Sequence, residues 1–258
     1  PWRNAAAVVA VMLGVALAFS VQLINASALD EFASAVRSVN GQPDLELRAA
    51  QGGFDERLFA RIATHAQVAL ASPVLETQVQ LLRPEGKRTP MRVLGVDSLA
   101  LPEIAPALSP RPAEGVDRLA QFAPGQVFLN ATARAAVGAD AASVQMQAGT
   151  RTFTLQIAGS ISAGGSALAV MDIGAAQDLF DRAGQLSRID IRLRPGTDRA
   201  AFSRALEQSA DWPPGLRLAE PGDAAQRVSN LSRAYRVNLT VLALVALFTG
   251  AFLVFSVL

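Results

Sequence analysis

The chain has 258 residues, 23 basic and 22 acidic for a formal net charge of +1, with one histidine and no cysteine. The length admits one sizeable core or two small ones. The lack of cysteine removes disulfides, thiolate nucleophiles, iron–sulfur clusters and most structural zinc sites, and singly spread basic residues do not form the phosphate-neutralising footprint of a nucleic-acid binder.

In chain order the first element is an apolar run from Ala5 to Ile24 without one charged side chain. A hydrocarbon core of ~30 Å needs ~20 apolar helical residues, so residues 1–24 read as a transmembrane helix. A secretory signal is the competing reading, with Trp2-Arg3 as its basic start and Asn25-Ala26-Ser27-Ala28 as its cleavage site. It gives way on length, because the apolar part of a signal runs ~7–15 residues. Ala6, Ala10, Gly14 and Ala18 recur every fourth residue, a spacing that lets helix backbones approach closely in lipid.

Helical spacing continues past the span through Ala28, Phe32, Ala35 or Val36, and Val39, until Asn40-Gly41 and Pro43 stop it. Residues 25–40 therefore form a stalk continuous with the span. A helix from about Ala5 to Val39 is ~50 Å long, so ~20 Å of it projects into water.

Residues 41–220 read as one region of mixed strand and helix. Asp44 to Ala49 alternates as a strand, Phe54 to Ala66 forms a helix with Asp55 and Glu56 near its positive end, and Ser72 to Leu82 and Met91 to Asp97 are strands. A passage from Leu101 to Pro124 with five prolines is largely irregular. Gln126 to Asn130 is a strand and Ala131 to Val137 a short helix. Strands come next at Ser143 to Gln147, Arg151 to Gly159 and Ala167 to Asp172, and a helix at Ile173 to Arg182. Ser187 to Gly196, alternating Ile189, Ile191 and Leu193, reads as a half-buried strand. Asp198 to Ala210 is an amphipathic helix with Phe202 and Leu206 inward, and Leu216 to Ala219 a last strand. The fold class is α+β: a split β-α-β core holding an inserted β-rich lobe between about Ser98 and Ala163, set between two transmembrane helices extended by stalks.

The return path mirrors the entry. With Asp223 as N-cap, Ala224, Val228, Leu231 and Tyr235 share one helical face, so residues 221–238 read as a second stalk. The two stripes either bury one another as an antiparallel pair or each pack on the domain. Residues 239–258 form a second span, with Ala246 and Gly250 at the small-residue spacing. A chain that opens on Pro1 and closes inside an apolar run at Leu258 reads as a piece of a longer protein.

Chemistry-bearing motifs are missing. Gly86-Lys87-Arg88-Thr89 lacks the first glycine of a phosphate loop, that position being Leu81, and Ser162 and Ser166 each lack one of the two flanking glycines of a nucleophile elbow. His65 reads as a structural helix-surface residue, and Asp97, Asp172 and Asp190, taken as strand-end residues, as turn and cap formers. No catalytic, cofactor-binding or metal site is expected.

Span, stalk, domain, stalk and span in this order resemble the first repeat of an FtsX-like ABC transporter permease carrying a MacB-like periplasmic core domain. VLGVD (Val93 to Asp97), VFLNATARAAVGAD (Val127 to Asp140, with Ala139 where the family has glycine), DIGAAQDLF and IDIRLRPGTD are similar to that family's segments. The ending looks most like the larger permeases of two repeats and roughly ten spans, often encoded beside a small ATPase and sometimes an esterase. The resemblance implies a non-catalytic subunit of the bacterial inner membrane, N-terminus cytoplasmic and residues 25–238 periplasmic. A separate cytoplasmic ABC ATPase dimer binding ATP and magnesium drives it by mechanotransmission. Implied partners are that ATPase, membrane lipid and a periplasmic protein or lipoprotein; the cargo stays open among lipoprotein extraction, drug efflux and peptidoglycan-hydrolase control. The rival class is the periplasmic sensor domain of a two-span histidine kinase or chemoreceptor. A receptor continues past Leu258 into a cytoplasmic signalling helix, a permease into further spans.

Overall fold

The computed structural model describes residues 19–20, 43–49, 52–83, 85–209 and 211–220. The chain divides into two units, Pro1–Ser34 with Gly222–Leu258, and Ala35–Pro221. Of the first, Phe19 and Ser20 are described, both helical and exposed. Among the described residues no helix is long and apolar enough to cross a membrane; the stalks and all but these two span residues lie outside them.

The second unit begins with β1 (Leu45–Ala49), β2 (Phe54–Asp55), α1 (Arg57–Ala63), β3 (Val68–Leu82) and β4 (Arg88–Val96). After α2 (Leu101–Ile104) and a 3₁₀ turn at Pro106–Leu108 come β5 (Arg111–Pro112), a 3₁₀ turn at Arg118–Phe122, β6 (Gln126–Leu129), α3 (Ala131–Val137), β7 (Ser143–Ala148) and β8 (Arg151–Ser160). The chain closes the unit with β9 (Leu168–Asp172), α4 (Ile173–Leu179), β10 (Gln185–Leu186), β11 (Arg188–Leu193), α5 (Arg199–Glu207) and β12 (Leu216–Ala219).

Two β-α-β segments, β1-α1-β3 and β11-α5-β12, interleave in the order β12-β1-β11-β3 with every neighbour antiparallel. This is the split core expected from the alternation of strand and helix patterns, an antiparallel plait. Its helical face buries Leu45, Leu47, Ile189, Ile191 and Leu193 against Leu58 and Ile62 of α1 and Phe202 of α5.

β3 is longer than its apolar alternation announced, beginning at Val68. Its first half pairs with β11 in the plait and its second half with β4. From there β4 pairs β9, β9 pairs β6, β6 pairs β8, β8 pairs β7, and β7 returns to β3, which closes a ring of six strands. The inward set includes Leu75, Val79, Leu81, Met91, Val93, Val127, Leu129, Val144, Met146, Leu155, Ala169 and Met171, so the interior is a packed core. The β-rich part is thus a barrel that also takes in β4 and β9, and reaches beyond the Ser98 to Ala163 boundary on both sides. Its outer face carries Val74, Leu94, Val96, Phe128 and Val170 under Leu101, Ile104 and Leu108.

Local chemistry sets the element ends. Phe54 and Asp55 are drawn into a ladder with β10, so α1 starts at Arg57, whose N–H donates to the Asp55 carboxylate at 2.8 Å. The helix expected to reach Arg182 stops at Leu179. There Asp181 takes a left-handed φ of 54° and the Arg182 N–H returns to the Gln177 carbonyl at 2.8 Å, closing a Schellman turn with aspartate where glycine is usual. Gly95 in β4 has a different reason: a Cβ there would lie 2.5 Å from the Ala176 methyl, so glycine lets α4 approach the sheet. At the plait edge, the outward Leu218 N–H donates to Glu207 Oε1 at 3.0 Å and the Leu216 carbonyl accepts from Trp212 Nε1 at 3.2 Å, which blunts an otherwise open strand.

Candidate functional face

The alternation of Ile189, Ile191 and Leu193 with charged residues announces a strand with one wet face. The structure buries both. Arg188 is fully buried, Asp190 is 2% exposed and Glu46 4%. Asp190 sits mid-strand in β11 rather than at a strand end, and it is not a turn or cap residue. Asp97 and Asp172 do fill such roles, accepting from the Leu99 and Ala175 N–H groups at 2.9 and 3.0 Å.

The cluster is a product of register. On β11, Arg188 and Asp190 are two residues apart and so share the face opposite the helices. Glu46 and Arg48 do the same on β1, and antiparallel pairing sets Glu46 opposite Asp190 and Arg48 opposite Arg188. Unlike charges therefore pair along each strand and like charges face each other across it, the arrangement that disfavours a sheet unless diagonal and along-strand attraction wins. Arg188 holds Asp190 in a two-pronged contact, Nε to Oδ1 at 2.8 Å and an Nη2 hydrogen bond to Oδ2 at 3.1 Å. Its Nη1 lies 3.9 Å from Glu76 Oε2, Arg92 donates to the other Glu76 oxygen at 3.3 Å, and Arg48 donates to Glu46 at 2.7 Å.

Burial acts on the two centres differently. It pushes the Asp190 carboxyl up to about 6, with Arg188 pulling down and the facing Glu46 pushing up. For Arg188 burial works to lower the pKa, but Asp190, Glu46 and Glu76 outweigh it and hold the guanidinium above its ordinary value, so it stays charged. The cluster is a paired, desolvated network. Among the described residues no group of three or more His, Cys, Asp or Glu is placed to hold a metal. His65 lies just after α1, accepts from the Gln67 N–H through Nδ1 at 3.2 Å and packs edge-on against the Phe202 ring, a structural placement.

The packing residues Ala6, Ala10, Gly14, Ala18, Ala246 and Gly250, and the stalk residues Ala28, Phe32, Val36, Val39, Val228, Leu231 and Tyr235, lie outside the described residues. Sequence reading missed the Glu46–Arg188–Asp190 cluster. Its signal was present as opposite charges two apart in ELR and RID, within strands whose other positions are apolar.

A second arrangement concerns where the chain enters and leaves. β1, the first strand, and β12, the last, are antiparallel neighbours with Glu46 opposite Ala219. Leu45 and Ala219 therefore stand at the same corner of the plait.

The sequence model of the family described as MacB-like periplasmic core domain matches residues 5–209. An uncharacterized ABC transporter permease protein of Mycobacterium tuberculosis is 27% identical over 249 residues, covering 92% of this chain and 28% of the relative, so the chain spans little more than a quarter of that protein. The extracellular domain of the noncanonic ABC-type transporter YknZ from Gram-positive bacteria superposes with a TM-score of 0.50 at 10% identity, over 68% of this chain and 99% of that domain, a likeness of fold. The periplasmic region of MacB from Actinobacillus actinomycetemcomitans aligns with a TM-score of 0.48 at 11% identity, over 76% of this chain and 96% of that one.

Proposed function

Because the chain belongs to the family of MacB-like periplasmic core domains, we propose that it is the periplasmic part, with its flanking spans, of an ABC transporter permease that works by mechanotransmission. In this reading residues 1–24 and 239–258 cross the bacterial inner membrane and residues 25–40 and 221–238 are stalks. A separate cytoplasmic ATPase dimer binds ATP and magnesium, and the chain itself carries no catalytic or cofactor site. The domain is moved, and it acts on a lipid, a lipoprotein, another hydrophobic cargo or a partner protein.

The observation that carries the reading is the common corner of entry and exit, Glu46 opposite Ala219. Two stalks attached there deliver their displacement to adjacent strands of one sheet. The 15-residue β3 belongs to both plait and barrel, so the push continues into the barrel without crossing a loop. Coupling needs such rigid elements shared by both ends.

The test uses the longer parent protein, purified in mild detergent with whatever accompanies it. A stoichiometric ABC-type ATPase is expected, and Ala35→Pro, which breaks a helix at a cost of ~3 kcal/mol or more, is expected to uncouple hydrolysis from the transported or regulated activity while leaving ATP turnover in place. Full coupled activity in the proline variant, or a kinase domain on the same polypeptide with no ATPase partner, would overturn the reading.

A further inference from the structure

The barrel has an opening that the transport reading does not use. β7 pairs with β3 only from Gln80 to Leu82 and ends at Ala148, so beyond Gln80 the two strands part. A cavity of about 230 Å³ opens there, lined by Thr77, Ala148, Arg151, Phe153, Phe180 and Asp181 together with Arg182. By alternation Thr77 lies on the inward face of β3 between Leu75 and Val79, and its buried Oγ1 has no hydrogen-bond partner. The Phe153 and Phe180 rings meet edge to face at 5.8 Å, and the Arg151 guanidinium stands 5.0 Å above the Phe153 ring.

The charges on the rim are arranged so that one can be exchanged. Arg151 pairs with Asp181, and both are well exposed, at 53% and 75% of the side chain. An exposed ion pair contributes little, ~0–1 kcal/mol. Asp181 is held over the opening by the left-handed turn that ends α4. Across the rim Arg182 donates through Nε to Gln185 at 2.6 Å. The rim therefore carries two guanidinium groups against one carboxylate, above two aromatic rings and an unpartnered hydroxyl. Barrel mouths that combine apolar walls with a few polar groups are where small ligands bind. The volume is below the ~300 Å³ at which sites for drug-sized molecules begin.

We propose that this mouth binds a small aromatic or branched aliphatic anion. Its body lies against Phe153 and Phe180, and its anionic head displaces Asp181 from Arg151. The barrel alone carries this inference, so it stands or falls apart from the transport reading.

The probe is 4-fluorobenzoate, water-soluble and of matching size, added to the full chain in lipid nanodiscs and followed by ¹⁹F relaxation against empty nanodiscs. A ligand of this size is expected to bind with Kd on the order of 1 mM. The neutral, isosteric 4-fluorobenzamide should bind at least about tenfold more weakly, Arg151→Ala should lose a similar factor for the benzoate, and Asp181→Gly should gain severalfold by freeing Arg151 and relaxing the left-handed turn. Circular dichroism melts confirm that each variant is folded, and Asp181→Asn serves as the second unlatched variant if glycine destabilises the turn. Equal affinity for benzoate and benzamide, no binding by the unlatched variants, or benzoate binding indifferent to both Arg151 and Asp181 would each overturn the proposal.

Discussion

Asp190 is a buried carboxylate whose two strongest neighbours pull in opposite directions, and its protonation is readable as stability. Unfolded, it titrates at its ordinary value of 3.8, and folded at about 6. Between those values the folded chain holds the proton more tightly, so the contribution from this group is fully present below ~pH 4 and is lost as pH rises to ~6. Two pKa units correspond to about 3 kcal/mol at most. Urea unfolding of the wild type and of Asp190→Asn at pH 4 and pH 7 checks this: the variant should lack a loss of that order between the two pH values. Gly95 offers a second test at the same scale. Gly95→Ala should cost about 1–3 kcal/mol through collision with Ala176, and Ala176→Gly in the same chain should recover part of it; a Gly95→Ala melt equal to wild type would show that α4 is free to lift.

Among the elements, the junction of β6, α3 and β9 depends on one side chain. The fully buried Asn130 accepts from the Ala133 N–H at 2.9 Å as helix cap and from the Leu168 N–H at 3.0 Å, and donates to the Ser166 carbonyl at 2.9 Å. Asn130→Ala leaves three backbone groups without that partner and should cost about 2–4 kcal/mol in urea unfolding. Loss below 1 kcal/mol would mean water replaces the amide. The capping function was legible in the sequence, since asparagine directly before an alanine-rich helical run is a start signal. Its bond to β9 was not, because that contact joins residues 38 apart. The same distinction separates the elements found from those misplaced. Alternation and caps marked β1, β6, α3, α5 and β12 closely, whereas β2 and β10 exist only through each other and carry no period of their own. The charged positions of β11 were readable as a strand face. Their burial was not, because period-2 alternation reports which residues share a side and says nothing about what covers it.

At the scale of the whole molecule, β3 makes one cooperative body of two cores. Because plait and barrel divide the length of this strand, neither can lose it and keep its own ladder, and calorimetry on residues 43–220 should give a single transition whose calorimetric and van't Hoff enthalpies agree. Two resolved transitions would show that the barrel melts independently, and would remove the basis for transmission through β3. The closing of the ring by β7 was beyond the sequence, since only three residue pairs, Gln80 to Leu82 with Gln145 to Gln147, make the seam.

The shared corner at Glu46 and Ala219 also makes this domain a removable cassette. Its ends are one strand spacing apart, ~4.8 Å, so a four-residue turn joining Asp44 to Glu220 replaces the whole insert without changing the separation of the two flanking segments. By the same geometry the excised domain can be circularly permuted with a short linker across that corner, or transplanted into a surface hairpin of an unrelated host. In that setting its barrel can be handled as an interchangeable part.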